Sequence, residues 1–244
     1  MPPFPPRSPR LPVRRPGTEP PLTATRFYGT NARTSAYNTK RLAEIDEPEK
    51  RFHMKTAGPE RLVEWAIKHC TAEKELVLKK GALVMLLVNT TSKLANGTVG
   101  RVVGFSGDGY PLFEALADAD ADRSSPKRRR VEPLTVRPHD WDVVDHSVGT
   151  ATLTQIPLKL AYSITIHKSQ GMQLDETVLA IDTKNCFECG QAYVALSRCT
   201  SLGGLYLETF DPKAIRAHPA AVAFYEKARA ARKPAAAARA ARSE

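Results

Sequence analysis

Two short stretches of the chain gather residue types that can do chemistry. Thr165-Ile-His-Lys-Ser-Gln-Gly171 is an apolar run that ends in short polar groups and one glycine. Groups of that kind suit a backbone turn held against phosphate or sugar oxygens. Gly190-Gln-Ala-Tyr-Val-Ala-Leu-Ser-Arg198 reads as a helix with a single cation at its end. At roughly 100° per residue, Gln191 and Arg198 stand about 20° apart on one face. The residues between them are mostly small or apolar, as a buried helix requires. An arginine held there is permanently charged and fork-shaped, which suits stabilisation of a transferring phosphoryl group from across a cleft.

A motor driven by ATP needs more. It needs a Gly-rich phosphate loop ending in Gly-Lys-Ser/Thr, and an acidic residue after an apolar strand to hold magnesium. No Gly-Lys pair occurs in the chain. Asp182, after Val178-Leu-Ala-Ile181, and the pair Asp46-Glu47 mimic the magnesium-holding patterns, but without an upstream phosphate loop they read as strand-end and loop residues. Cys186-Phe-Glu-Cys189 has zinc-like spacing and no second pair, so ordinary thiols and no metal are expected. The four cysteines fit a reducing compartment.

An α/β frame must position these groups. Arg26–Gly29 reads as a strand and Ala32–Ile45 as a helix, with Asn31 either capping it or facing a ligand. Glu47–Pro59 reads as a charged loop. Glu60–His69 reads as a helix carrying Leu62, Val63, Ala66 and Ile67 on one stripe. Leu76–Val88 and Gly97–Phe105 read as strands joined by a turn at Asn96-Gly97. Leu112–Leu116 reads as a third, and Val131–Val144 returns to strand character around Trp141. Short strands with Gly and Asn turns suggest a small barrel.

From Leu158 to Ile166 every even position is apolar, with Lys159, Ala161, Ser163, Thr165 and His167 at the odd ones. That is the pattern of a half-buried strand, although Leu160, Ala161 and Ile164 also fit a helix. Thr177–Ile181 and Gly204–Leu207 read as buried strands of parallel type. Alternation of these strands with the helices gives an α/β sheet. Ala220–Ala231 reads as a terminal helix whose Ala/Arg continuation frays beyond Pro234.

The formal charge of +10 invites a nucleic-acid reading. Its location tempers that. Residues 1–21 hold a net +3 and residues 226–244 a net +4, so only +3 is left between them. The first 21 residues contain nine prolines, which favour an extended, disordered segment and forbid the amphipathic helix of a transit peptide. They hold no apolar centre for a secretory signal, and no apolar run is long enough to cross a bilayer. Ala117–Arg130 alternates Ala and Asp and then turns basic. Pro126-Lys-Arg-Arg-Arg-Val131 can be a nuclear import signal, a phosphate-contacting patch, or a solvated loop offsetting Asp118, Asp120 and Asp122. It points toward the nucleus rather than the mitochondrion.

IHKSQG followed by GQAYVALSR resembles the fifth and sixth motifs of superfamily-one helicases of the petite-integration-frequency (Pif) type, relatives of RecD. Phe27-Tyr-Gly-Thr-Asn31 followed by Asn38 resembles the fourth motif. Leu78–Leu86 with Leu94–Phe105 is similar to the stretch before the family's inserted barrel, and Asp211–Arg216 to its C-terminal strand and helix. The likeness covers roughly residues 26–228, and the motifs are specific as a set. It implies the C-terminal half of an ATP-dependent DNA helicase. In fold terms this is a RecA-like parallel-sheet domain of the P-loop NTPase type, lacking the P-loop half, with an inserted Src-homology-3-like β-barrel. The expected layout is a disordered 1–24, a RecA-like domain from 25–75 and 156–228, a barrel at 76–155 with an expanded loop at 117–130, and a tail at 229–244.

By that resemblance Arg198 contacts the γ-phosphate, Gln170 and Gly171 line the nucleotide cleft, and Gln191 orients nearby groups. Thr165 and His167 touch the DNA backbone, and Lys168 adds a phosphate contact. Plainer roles compete: a half-buried His167, a solvated Lys168, and Gln191 as a helix cap. ATP and Mg2+ belong to the complete enzyme and neither is expected to bind this chain tightly alone. The implied partners are single-stranded DNA and a first RecA-like domain in cis or trans, with no membrane. Three hypotheses follow: a truncated product inactive alone, a half-motor completed by another chain, or a non-catalytic single-strand-binding or regulatory module. Strand binding draws on aromatic stacking, and an aromatic content of 7% weighs against the third.

Overall fold

The computed structural model describes residues 19–21, 24–91, 94–116, 132–170, 179–199 and 204–240, with backbone alone for 231–240. The expectations for the proline-rich start, the acidic-then-basic loop, Pro126–Val131 and Gly171 therefore lie outside the described residues.

In chain order the chain forms β1 (Thr25–Tyr28), α1 (Asn31–Ala43), β2 (Lys50–His53), β3 (Lys55–Ala57) and α2 (Glu60–His69). Then come β4 (Glu75–Leu78), β5 (Leu83–Leu86), β6 (Val99–Phe105), β7 (Pro111–Ala115), β8 (Leu134–Thr135), β9 (His139–Asp145) and β10 (Gly149–Gln155). The last group is β11 (Leu158–Leu160), β12 (Ser163–Thr165), β13 (Leu179–Asp182), α3 (Gln191–Leu196), β14 (Leu205–Thr209) and α4 (Pro219–Ala240).

One sheet is wholly parallel, in the order β12-β1-β13-β14. Phe27 at its centre stands opposite Ile164 on one side and Ile181 on the other, and all three are fully buried. Each such side chain contributes roughly 1.5–3 kcal/mol of burial, and their apolar runs are what a two-sided parallel sheet demands. Helix α1 covers this sheet through Asn38 and Leu42, its two buried residues. Thr30, rather than the expected Asn31, caps it: the Thr30 side chain accepts from the Arg33 backbone N–H.

The remaining strands are antiparallel. They form a five-stranded sheet β11-β5-β6-β7-β8, a three-stranded sheet β3-β10-β9 and the pair β2-β4. Among the described residues no ladder joins β11 to β8, so the described strands do not by themselves close the expected barrel. The β2-β4 and β3-β10 ladders reach across the expected boundary at residue 76. Glu47–Pro59, expected as a loop, supplies β2 and β3 because Phe52 packs against the core while its charged neighbours stay outside. The expected long strand Leu76–Val88 is broken at a turn where Gly81 takes φ 87°.

The run from Leu158 to Ile166 departs most from expectation. It is buried on both faces, not half-buried, and it is two strands rather than one. β11 pairs antiparallel with β5, while β12 pairs parallel with β1, so the Ala161-Tyr162 step passes the chain from one sheet to the other. The two sheets share one hydrophobic core through this crossing. α4 runs to Ala240, past the expected end near Ala231, as its alanine content favours.

Candidate nucleotide and nucleic-acid site

In an open parallel sheet the carboxyl ends of the strands bracket a crevice where the strand order reverses. Here β1 is the reversal point, with β12 on one side and β13 on the other. The chain leaves β1 at Gly29 and Thr30, leaves β12 into a 3-10 turn at His167–Ser169, and leaves β13 into another at Thr183–Asn185. Gly29 is required by close approach: a Cβ there would lie 2.9 Å from the Asn185 carbonyl oxygen and 3.1 Å from the Phe187 ring. Asp182 is committed at this edge. Its carboxylate accepts from Thr209 Oγ1 and Asn185 Nδ2 and pairs with Arg33 at 3.7 Å. It is a bracket for the strand ends, as its lack of a phosphate loop upstream suggested.

Helix α3 follows Gly190, whose N–H donates to the Arg216 carbonyl at 2.7 Å. Gln191 is buried, and its Oε1 accepts from the backbone N–H of Phe187 (2.9 Å) and Glu188 (3.4 Å), clamping the preceding loop. Its Nε2 is buried without a hydrogen-bond partner. The helix ends at Leu196, and Arg198 lies beyond it in a turn closed by Arg198 N–H to the Ala195 carbonyl at 3.2 Å. The helical-face relation between Gln191 and Arg198 therefore does not hold, because a six-residue helix stops short of the second group.

Arg198 is nevertheless poised. It is half-buried, its Nε is buried without a partner, and its Nη2 donates to Ser197 Oγ at 3.3 Å. Among the described residues no carboxylate pairs with it.

Gln170 is exposed and closes the turn by donating its N–H to the His167 carbonyl at 3.3 Å. His167 is also exposed, not half-buried. Its Nε2 meets Glu188 Oε2 at 2.7 Å, with both side chains 51% exposed, so the pair is a solvated link worth under about 1 kcal/mol. That link joins the β12 turn to the loop that Gln191 clamps.

Thr165 and Lys168 face a separate polar cleft of about 50 Å³, between the first turns of α1, the Thr71–Glu73 segment and the β11–β12 crossing. Thr165 itself is buried and Lys168 exposed. Asn38 holds the cleft wall together. Its Nδ2 donates to the Ser163 carbonyl (3.0 Å) and its Oδ1 accepts from Ser163 N–H (2.8 Å) and Ser163 Oγ (3.2 Å). Two charged groups in this cleft escape sequence reasoning, Lys159 and Glu73. Burial, then the neighbouring Lys168, lower the Lys159 ammonium to about 8, against the opposing pull of Glu73. Desolvation raises the Glu73 carboxyl above the usual carboxylate range although the residue as a whole is exposed, with Lys159 and Lys168 pulling the other way. Gln155, also unforeseen, fixes the Glu73 backbone by donating Nε2 to its carbonyl at 2.9 Å while reaching Phe52 O at 3.1 Å. The one signal available in sequence was Lys159 itself, a lone cation inside an apolar run.

Comparison with known proteins shows what the chain as a whole is similar to. The family model described as DNA helicase Pif1, 2B domain, matches residues 66–105. The ATP-dependent DNA helicase PIF1 of Homo sapiens is 35% identical over 215 residues, covering 86% of this chain and 31% of that protein. The crystal structure of Pif1 helicase from Candida albicans superposes with a TM-score of 0.67 at 29% identity, covering 88% of this chain and 52% of that one. A Bacteroides Pif1 helicase in complex with ADP-AlF3 and ssDNA superposes with a TM-score of 0.58 at 25% identity, covering 90% of this chain and 48% of that one. The chain spans about a third of the length of the curated relatives it matches, from 31% to 33% for three of them. With a RecA-like α/β fold and this likeness over most of its length, the chain belongs to the Pif1 family of DNA helicases.

Proposed function

We propose that this chain is the part of an ATP-dependent DNA helicase that closes on a nucleotide held by another RecA-like domain. Arg198 reaches the γ-phosphate, Gln170 and Gly171 line the nucleotide, and Gln191 fixes the loop beside it. Thr165, His167 and Lys168 contact the single strand. Residues 25–75 and 156–228 act as the RecA-like unit and 76–155 as its insertion.

One observation carries the reading. Two buried donors beside one short helix, Arg198 Nε and Gln191 Nε2, lack partners among the described residues. Buried donors left unsatisfied cost about 1–3 kcal/mol each, and the outer guanidinium nitrogens of half-buried Arg198 are the groups an anionic ligand would meet at this strained corner. The residues fit the terminal phosphate of ATP and not the rest of its grip. No Gly-Lys pair is available for the other phosphates, and Asp182 is already engaged by Thr209, Asn185 and Arg33. ATP with Mg2+ is therefore bound productively only when the first RecA-like domain supplies the phosphate loop.

ATP turnover by the purified chain, with and without single-stranded DNA, tests this. The expected result is none, and robust turnover overturns the assignment. In an enzyme reconstituted with the phosphate-loop domain, Arg198→Ala should abolish hydrolysis and leave the urea unfolding midpoint unchanged.

A further inference from the structure

Lys159 is the most anomalous charge in the described structure. It is 7% exposed, lies mid-strand in β11, and faces the polar cleft with no hydrogen bond or ion pair of its own among the described residues. A largely buried lysine with no protein partner for its ammonium is disfavoured, and an anion in the cleft relieves that. The other walls of the cleft suit such an anion. The first turns of α1 line it through Asn31 and Ser35, presenting the positive end of a helix. Thr71 and Thr165 add hydroxyls, and the exposed Lys168 adds a second cation. Against these two lysines stands one acid, Glu73. The fully ionised cleft thus carries a formal net charge of +1, which one phosphodiester matches.

We propose that Lys159 is a phosphate-binding residue whose ammonium takes one backbone phosphate of a single DNA strand inside this cleft. The inference rests on the strand-contacting reading of Thr165 and Lys168 and adds to it a residue that no motif assigns. Glu73 is the competing acid: it attracts Lys159 when no strand is present and opposes the incoming phosphate. Because Lys159 titrates near 8, with Lys168 and Glu73 the charged groups facing it, binding requires it protonated and weakens as the pH rises past that point.

The test is fluorescence anisotropy of a labelled oligo(dT) with the full chain, for wild type, Lys159→Met and Glu73→Gln, at pH 7 and pH 9. Lys159→Met should weaken binding at pH 7 by roughly tenfold, the scale of one charge-assisted hydrogen bond. Wild-type affinity should fall by roughly tenfold more than the variant's between pH 7 and pH 9, since a group one unit above its pKa is about one-tenth protonated. Glu73→Gln should tighten binding severalfold. Wild type and Lys159→Met binding equally, with the same pH profile, overturns the proposal and leaves the strand-binding reading intact. Failure of wild type and Lys168→Ala alike to bind oligo(dT) at any pH overturns both. Inorganic phosphate as a second probe separates the sources. If phosphate shifts the Lys159 titration by NMR and oligo(dT) does not, the cleft takes free phosphate and the strand assignment is wrong.

Discussion

Replacing Lys159 by Met should make the chain more stable, which is unusual for a substitution inside a core. Burial pushes the ammonium down to about 8 in the folded chain, from its ordinary value of 10.5. The folded state therefore holds its proton less tightly than the unfolded state does. The resulting penalty is fully present below pH 8, is relieved progressively between pH 8 and 10.5, and is gone above. A difference of about 2.5 pK units at 1.36 kcal/mol each amounts to about 3 kcal/mol at pH 7. Methionine keeps the reach of the side chain and fills the same strand position without a charge. Urea unfolding followed by intrinsic fluorescence should show the variant's midpoint raised on the order of 1 M at pH 7. At pH 10 the gap should shrink below about 1 kcal/mol, because most of the wild-type penalty has been removed by then. A variant no more stable than wild type at pH 7, or a gap identical at both pH values, would show that Lys159 is not a strained charge. A residue that burdens the fold in this way and weakens strand binding when removed exchanges stability for function.

Two further outcomes test the frame. Asn38→Ala removes three buried hydrogen bonds to Ser163 and leaves the Ser163 N–H without a partner, so unfolding free energy should drop by about 2–4 kcal/mol, read from urea melts. A loss under about 0.5 kcal/mol would mean that α1 is held to β12 by apolar contact and the Ser163 Oγ–Thr34 carbonyl hydrogen bond instead. Gly58→Ala places a Cβ 2.3 Å from the Thr150 carbonyl oxygen at a φ of 109°, so it should cost at least about 2 kcal/mol in thermal or urea unfolding and disturb the β3-β10 ladder.

Local sequence was enough for the elements whose signals are local. Helix α2 coincides with its apolar stripe and flanking Pro59. The buried strand β13 follows from its short apolar run, since a strand covered on both faces has no other composition open to it, whereas β14, expected buried, lies at the sheet edge with only Tyr206 buried. The motif residues at Thr165–Gln170 and Gln191–Arg198 were visible as types in order, and the family with them. Their arrangement was not. Period-two alternation put Lys159 and Ser163 on a solvent face, yet both are buried, because the chain changes sheets at Ala161-Tyr162 and α1 then covers what alternation left open. Helical periodicity paired Gln191 with Arg198, but the helix stops at Leu196, where the turn toward β14 begins. Gln155 holds the Glu73 backbone at the cleft across more than eighty residues of sequence, so no local pattern could bring the two together. Sequence by itself determined the kinds of groups this protein carries and the runs that become its strands. Which of those groups share a cavity, which donors are left without partners, and where a charge must lie buried were decided by the crossing of two sheets, a long-range event with no local signature.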